Sequence, residues 1–125
     1  MGVILLDSNT LIYLSKELLP IDEVLPDGET YAVSVVTYME VMGYPFESQE
    51  EENLILSLFS HFHIIMVDAA IANRVIALRK EYKIKLPDAI ICATALTHQA
   101  QLFTNDTRLR QIKGLSVKIV SPLIT

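Results

Sequence analysis

The strongest constraint on the fold of this chain is a regular alternation of short apolar segments with longer segments of helical periodicity. The short segments are largely apolar along their whole length, which predicts strands that are buried on both faces of a sheet. The helical segments between them favour a parallel sheet covered by helices on both faces, an α/β fold. The predicted strands are 3–6, 31–36, 63–67, 101–104 and 116–120.

Helix starts are marked by capping signals. Thr37 and Glu40 have the spacing of a capping box, which predicts a short helix with Glu40 in its first turn. Ser48 and Glu51 repeat this spacing, and Asp68 is a plausible N-cap for the helix after the third strand. We expect that third strand to lie at an edge of the sheet, where Asp68 has only a capping role.

The length of 125 residues suits one domain, 1–125, because two full cores would not fit. Cys92 is the only cysteine, so an internal disulfide is excluded and a reducing cytoplasm is favoured. No apolar run approaches the roughly 18 residues that a membrane span needs. The start, MGVILLDSN, lacks the basic region of a secretory signal. We therefore expect a cytoplasmic protein without a membrane segment.

The net charge of −5 hides an asymmetry along the chain. Residues 1–68 carry one base and twelve acids, a net −11, whereas residues 69–125 carry nine bases and three acids, a net +6. The average charge therefore does not exclude a nucleic-acid partner. Arg79, Lys80 and Lys83 are interpreted as a solvated helix face, whereas Lys85 and Arg108 are better candidates for binding phosphates.

Several acidic side chains lie at the ends of strands or at the starts of the helices beside them. In parallel sheets, sites form beyond the carboxyl ends of strands where the strand order reverses. If the first, second and fourth strands are neighbours, these acids converge at one edge, with neutral oxygen ligands beside them. The acids are Asp7, Glu40, Asp88 and Asp106, and the neutral residues are Asn9 and Thr104.

Carboxylates that lie this close together repel one another, and a hard divalent cation such as Mg²⁺ or Mn²⁺ removes that cost. The chain has no cluster of histidine and cysteine, which argues against a structural zinc site. Each acid also has a structural explanation. Glu40 could complete a capping box, Asp88 could favour a helix dipole and Asp106 could be an N-cap, as could Ser8 or Asn9 beside Asp7. Four such coincidences favour the metal-site interpretation.

Four sequence blocks carry a family resemblance: LLDSNTLIYL (5–14), SVVTYMEVMGYP (34–45), KLPDAIICATAL (85–96) and LFTNDTRL (102–109). Together they resemble the motifs of PIN domains, and most closely the VapC-type ribonuclease toxins of toxin–antitoxin pairs. The resemblance implies a three-layer α/β/α sandwich with a central parallel five-stranded sheet. It also implies Mg²⁺- or Mn²⁺-dependent cleavage of RNA.

The same resemblance implies roles for individual residues. The four acids of the family match Asp7, Glu40, Asp88 and Asp106, with Asn9 and Thr104 in supporting positions. Three of the acids are then metal ligands, and Glu40 binds the metal or holds a water as base. The resemblance further implies a homodimer and a VapB-like antitoxin partner. Four apolar residues are candidates for such surfaces, although their helical spacing favours the core: Ile12, Tyr13, Leu54 and Phe59.

The sequence leaves two alternative functions open. The D-S-N-T segment after a strand resembles the D-x-D-x-T motif of haloacid-dehalogenase-type phosphatases, in which an aspartate is the nucleophile. Asn9 stands where that motif has its second acid, and no later lysine and acid pair supports the match. A catalytically silent PIN-like binding scaffold is the other alternative, and the four intact acids argue against it.

Overall fold

The computed structural model describes residues 2–122, so Met1 and residues 123–125 of the predicted domain lie outside the described part. Five strands form one sheet in the order β3-β2-β1-β4-β5, and all four neighbouring pairs are parallel. The sheet confirms the predicted fold class. The strands are β1 (Val3–Leu6), β2 (Thr30–Ser34), β3 (His63–Ile65), β4 (Gln101–Thr104) and β5 (Ser116–Ile119).

Six α-helices and one short 3₁₀ helix connect the strands within residues 2–122. The α-helices are α1 (Ser8–Ser15), α2 (Ile21–Val24), α3 (Val35–Met42), α4 (Gln49–Phe59), α5 (Ala69–Glu81) and α6 (Leu86–His98). The 3₁₀ helix is Thr107–Gln111 and lies between β4 and β5. Over the same residues, no helix combines the length and the apolar character that a bilayer crossing requires.

Local hydrogen bonds explain where most helices begin. The side chains of Ser48 and Asp68 accept from the backbone N–H groups three residues later, as predicted. The predicted capping box of Thr37 and Glu40 is wrong. Strand β2 ends at Ser34, whose side chain caps α3, so Glu40 lies in the second turn of the helix rather than in its first. The two valines after Ser34 look like strand residues in the sequence but are helical.

Two apolar cores cover the two faces of the sheet, because successive strand residues point to opposite sides. Leu5 packs with the buried faces of α5 and α6. Its neighbours Ile4 and Leu6 pack on the other side, with apolar residues of α1, α3 and α4. The central strands are therefore buried on both faces, as their apolar sequences predict, and the molecule has three layers.

The edge strands differ from the central ones. Strand β3 has only three residues and ends at Ile65, so the predicted extension to residue 67 is wrong. Met66 is 65% exposed and Val67 is 41% exposed. A strand with a neighbour on one side only receives less burial and less backbone pairing, which explains why an apolar sequence here does not extend the sheet. The expected position of the third strand at an edge is confirmed.

Candidate active site

The candidate site lies at the carboxyl end of β1, where the strand order reverses. The chain passes from β1 to β2 on one side and later returns to β4 on the other side. Such a reversal opens a crevice beyond the strand ends. Asp7 follows β1 directly, and its backbone N–H donates to the carbonyl of Phe103 at 3.3 Å. Thr104 is the last residue of β4, and Asp106 comes two residues later.

Asp7 is buried and caps α1. Its Oδ1 accepts from the backbone N–H of Thr10 at 2.9 Å and from the Thr10 hydroxyl at 2.6 Å. Asp7 itself is therefore the N-cap, and the expectation that Ser8 or Asn9 plays this role is wrong. Burial raises the pKa of the Asp7 carboxyl, hydrogen bonds from Thr10 and Thr104 lower it, and the charge of Asp106 adds a small increase.

The charges of the other three predicted acids act on Asp88. It lies in the first turn of α6 and is half-buried. Burial is the largest cause that raises the pKa of its carboxyl. The charges of Asp106, Asp7 and Glu40 raise this pKa further, in that order, and Arg108 opposes them. The fold therefore brings together four carboxylates that are up to 99 residues apart in the chain.

Asp106 is held by its neighbour Arg108. The carboxylate accepts from the Arg108 backbone N–H and from Nε, both at 3.0 Å, and from Nη2 at 2.8 Å. Hydrogen bonds from Arg108 hold the pKa of Asp106 below its ordinary value. The hydroxyl of Thr104 accepts from the backbone N–H of Asp106 at 3.1 Å, and its hydrogen bond to Asp7 connects this turn with the end of β1. Asp106 is thus also the N-cap of the 3₁₀ helix.

Glu40 and Asn9 occupy the solvent side of the crevice. Glu40 is exposed, and its Oε1 accepts from the Ser8 hydroxyl at 2.5 Å. Asn9 is exposed and forms no side-chain hydrogen bond with the other described residues. The structure therefore gives Ser8 and Thr10, rather than Asn9, the direct contacts to the acids. The contact between Thr10 and Asp7 had a signal in the sequence, because a residue three positions after an aspartate is the usual partner of an N-cap.

The side chains are not arranged as a closed set of metal ligands. Within residues 2–122, no three acidic, histidine or cysteine side chains are grouped closely enough to hold an ion as they stand. In this arrangement Arg108 donates to Asp106 and Ser8 donates to Glu40. The donors are carboxylate and hydroxyl oxygens, which suit Mg²⁺ or Mn²⁺. The chemistry of the donor set therefore fits the predicted cation.

Cys92 lies one turn after Asp88 on the buried face of α6. Burial raises the pKa of its thiol to about 12, and the charges of Asp88, Asp106 and Asp7 contribute to this increase. A thiol that stays neutral is a poor nucleophile and a poor metal ligand. Cys92 is thus a core residue beneath the acids.

The two cations predicted to bind phosphates line a single groove beside the acids. Lys85 is exposed immediately before α6, and Arg108 is exposed on the 3₁₀ helix. Both line a cavity of about 570 Å³ whose wall also includes Asp88 and Asp106. The groove is thus continuous with the candidate active site.

The apolar residues named as candidate interfaces belong mainly to the core. Phe59 is buried, and Ile12 and Tyr13 pack against the same apolar cluster. Leu54 is half-buried. The structure instead exposes other apolar side chains, among them Met39 on α3 and Met66 after β3, which are 59% and 65% exposed. The helical spacing of the four candidates therefore indicated core positions rather than an exposed interface.

The parallel sheet and the acids at its switch point place this chain among α/β proteins with an acidic site at the carboxyl ends of the strands. Sequence comparison then identifies the family. The model of the PIN domain family matches residues 4–115. The chain belongs to the PIN domain family. The resemblance of the four sequence blocks to PIN domains is confirmed. A comparison with curated protein sequences gave no match.

Solved structures share this fold over nearly the whole chain. A toxin–antitoxin complex from Klebsiella pneumoniae contains a chain that is 37% identical, with a TM-score of 0.71, over 90% of this chain and 94% of that one. VapBC2 from Rickettsia felis, bound to a promoter DNA fragment, gives 23% identity and a TM-score of 0.78 over 95% and 99% of the two chains. DNA-bound VapBC from Salmonella typhimurium gives 21% identity and 0.79 over 95% and 98%.

Proposed function

We propose that this chain is a metal-dependent endoribonuclease that hydrolyses RNA phosphodiester bonds, and that it is the toxin of a VapBC-type toxin–antitoxin pair. The observation that carries the proposal is the convergence of four carboxylates at the switch point of a PIN domain. The similarity to a Klebsiella pneumoniae toxin–antitoxin complex supports the toxin assignment. Membership of the PIN family leaves the phosphatase alternative without support.

Asp7, Asp88 and Asp106 are the proposed ligands of Mg²⁺ or Mn²⁺, with the hydroxyl of Thr104 beside them. A divalent cation bound there stabilises negative charge on the phosphate and lowers the pKa of water. Burial makes the charged form of Asp7 costly, and the mutual repulsion of the acids adds to this cost. A bound cation offsets both the cost of burying the Asp7 charge and the repulsion among the acids, so the cluster is stable when the cation is bound.

Glu40 is the proposed base. It is exposed, so water reaches it, and the Ser8 hydroxyl fixes the orientation of its carboxylate. In this role Glu40 accepts a proton from the water that attacks the phosphate in line, and hydrolysis leaves a 3′-hydroxyl and a 5′-phosphate. Asn9 is left with at most a supporting role at the rim.

RNA cleavage with added Mg²⁺ or Mn²⁺ tests this proposal. We expect Glu40→Gln and Asp88→Asn each to lower kcat by about 100-fold or more, because each removes a group required in the transition state. Glu50→Gln is the matched control, since it removes the same charge from a solvated helix end. Cleavage that survives both substitutions, or that needs no divalent ion, contradicts the mechanism. A well-folded protein without any activity supports the silent-scaffold alternative.

A second readout does not depend on activity. Mg²⁺ at about ten times its dissociation constant should stabilise the wild type by about 1.4 kcal/mol, because only the folded state has the site. Asp88→Asn should remove most of this stabilisation, whereas Glu50→Gln should keep it. Equal stabilisation of the wild type and Asp88→Asn would place the ion elsewhere.

We also propose a VapB-like antitoxin as partner and a homodimer as the assembly. The similarity to chains from VapBC and other toxin–antitoxin complexes supports the antitoxin. The exposed Met39 lies beside Glu40 on α3, so a partner that covers this apolar surface also covers the rim of the site. A reducing cytoplasm suits the single buried Cys92. Inhibition of cleavage by the product of an adjacent short gene tests the pairing.

A further inference from the structure

We propose that the cavity between α5, its connection to α6 and the 3₁₀ helix is a binding site for single-stranded RNA next to the scissile phosphate. We call this cavity the basic groove, and its cationic rim consists of Arg79, Lys83, Lys85 and Arg108. This inference rests on the proposed function, because it assigns a substrate site to the same crevice. It changes the interpretation of Arg79 and Lys83, which the sequence favoured as part of a solvated helix face.

The groove has fixed walls. The hydroxyl of Tyr82, at the end of α5, accepts from the backbone N–H of Lys113 at 3.0 Å. This bond joins two segments that are 31 residues apart and sets their separation. Tyr82 also packs against the apolar core that contains Leu109 and Ile112. The shape of the groove therefore does not depend on flexible surface side chains alone.

The charges on the rim are available to a ligand. Arg79, Lys83 and Lys85 are exposed, and none of them forms an ion pair with another residue of the described range 2–122. Three free cations on one side of a cavity attract an anion that carries several charges. The fourth, Arg108, is engaged by Asp106 and is shared between the groove and the acids.

The interior of the groove suits a nucleotide rather than a phosphate ion alone. Ile84, Leu109 and Ile112 contribute apolar lining to the groove. The volume of about 570 Å³ lies within the range of pockets that hold a small molecule. A polymer with phosphates at regular intervals and apolar ribose and base surfaces between them matches both features.

The wall of the groove also includes two of the acids, Asp88 and Asp106. A chain of nucleotides bound along the rim therefore passes directly to the carboxylates that are proposed to hold the cation. A single strand fits this path better than a duplex does. Its backbone is flexible enough to enter the crevice, and its unpaired bases are free to contact the apolar lining. The cations of the basic half, residues 69–125, thus bind the RNA phosphates beside the acidic site.

Two double variants with equal charge change test this assignment. Arg79→Gln/Lys83→Gln removes two rim cations, and Lys80→Gln/Arg110→Gln removes two exposed cations from α5 and the 3₁₀ helix that do not line the groove. Binding is measured by fluorescence anisotropy in EDTA, with a labelled single-stranded RNA of mixed sequence and about 12 nucleotides. The same labelled sequence in duplex form is the second probe.

The rim variant should bind the single strand about tenfold more weakly, and its salt dependence should fall by about 1.4 in slope, two phosphate contacts at ~0.7 each. The control variant should bind like the wild type. In cleavage assays the rim variant should raise KM and leave kcat unchanged. Equal weakening by both variants, no weakening by the rim variant, or tighter binding of the duplex would overturn the proposal.

Failure of the proposed function gives a different result. RNA would then bind in EDTA with the same dependence on Arg79 and Lys83, but the wild type would leave it uncut after Mn²⁺ is added. Binding and cleavage therefore report on the groove and on the acidic site separately.

Discussion

The turns after β1 and β3 are built in the same way but lie in different surroundings. Asp7 accepts from the backbone N–H of Thr10 at 2.9 Å, and Asp68 accepts from that of Ile71 at the same distance. Asp7 is buried beside β4, and its charge interacts with those of Asp88 and Asp106, whereas Asp68 is exposed beside an edge strand. Capping is therefore a local property, and the position of the strand in the sheet decides which cap can also take part in chemistry.

The largest expected difference between the two aspartates is in catalysis. Asp7→Asn should lower the rate of RNA cleavage by about 100-fold or more, because an amide is a much weaker ligand for a hard cation. Asp68→Asn should cleave at the rate of the wild type, since the amide still caps α5. Single-turnover cleavage of both variants measures the contrast. If Asp68→Asn stays folded but loses activity, the conclusion that Asp68 only caps α5 is contradicted.

A smaller effect is expected on the free energy of unfolding, and substitutions at Asp7 and Asp68 should change it in opposite directions. Asp68→Ala should lower the free energy of unfolding by about 1 kcal/mol, because α5 loses its capping acceptor. Asp7→Asn should raise it at neutral pH without divalent ions, because the cap is kept and the cost of burying a charge is removed. Urea unfolding in EDTA measures both values. Destabilisation by Asp7→Asn would show that burial of this carboxylate carries little cost.

The smallest expected effect is at Cys92, beneath the acidic site. Because its folded pKa of about 12 lies above the unfolded value, the thiol stays neutral in the native state. Ionisation favours the unfolded chain only as pH rises above the unfolded pKa of about 8.5. Iodoacetamide should therefore leave native Cys92 unmodified at pH 7 and at about pH 9, yet alkylate it after unfolding in guanidinium. Rapid native labelling would mean that the helix α6 opens locally.

Much of the fold could be predicted because the signals are local. The apolar segments and the caps at Ser48 and Asp68 depend on residues a few positions apart, and the structure confirms them. Two strand boundaries were predicted wrongly, one for a local reason and one because of the position of the strand in the sheet. Val35 and Val36 are typical strand residues, but the Ser34 side chain accepts from the backbone N–H of Val36 and the helix starts there. Met66 and Val67 are apolar but lie beyond an edge strand of three residues.

The acids were found through their predicted places at strand ends and helix starts, whereas their actual partners depended on the fold. The contact from Ser8 to Glu40 joins residues 32 positions apart, and no spacing rule predicts it. The hydroxyl of Thr104 comes near Asp7 only because β1 and β4 are paired. Arg79 and Lys83 were assigned to a solvated face, because one helix alone does not show that the 3₁₀ helix faces its last turn.

The sequence by itself determined the elements and the residue types of the site, because periodicity, capping and motif spacing act within a few residues. Only the tertiary structure decided which of these residues meet. The order β3-β2-β1-β4-β5 brings Asp7, Asp88 and Asp106 to one edge and leaves Asp68 apart. Convergence of distant side chains depends on strand pairing and on the burial of two cores, and those are properties of the whole chain.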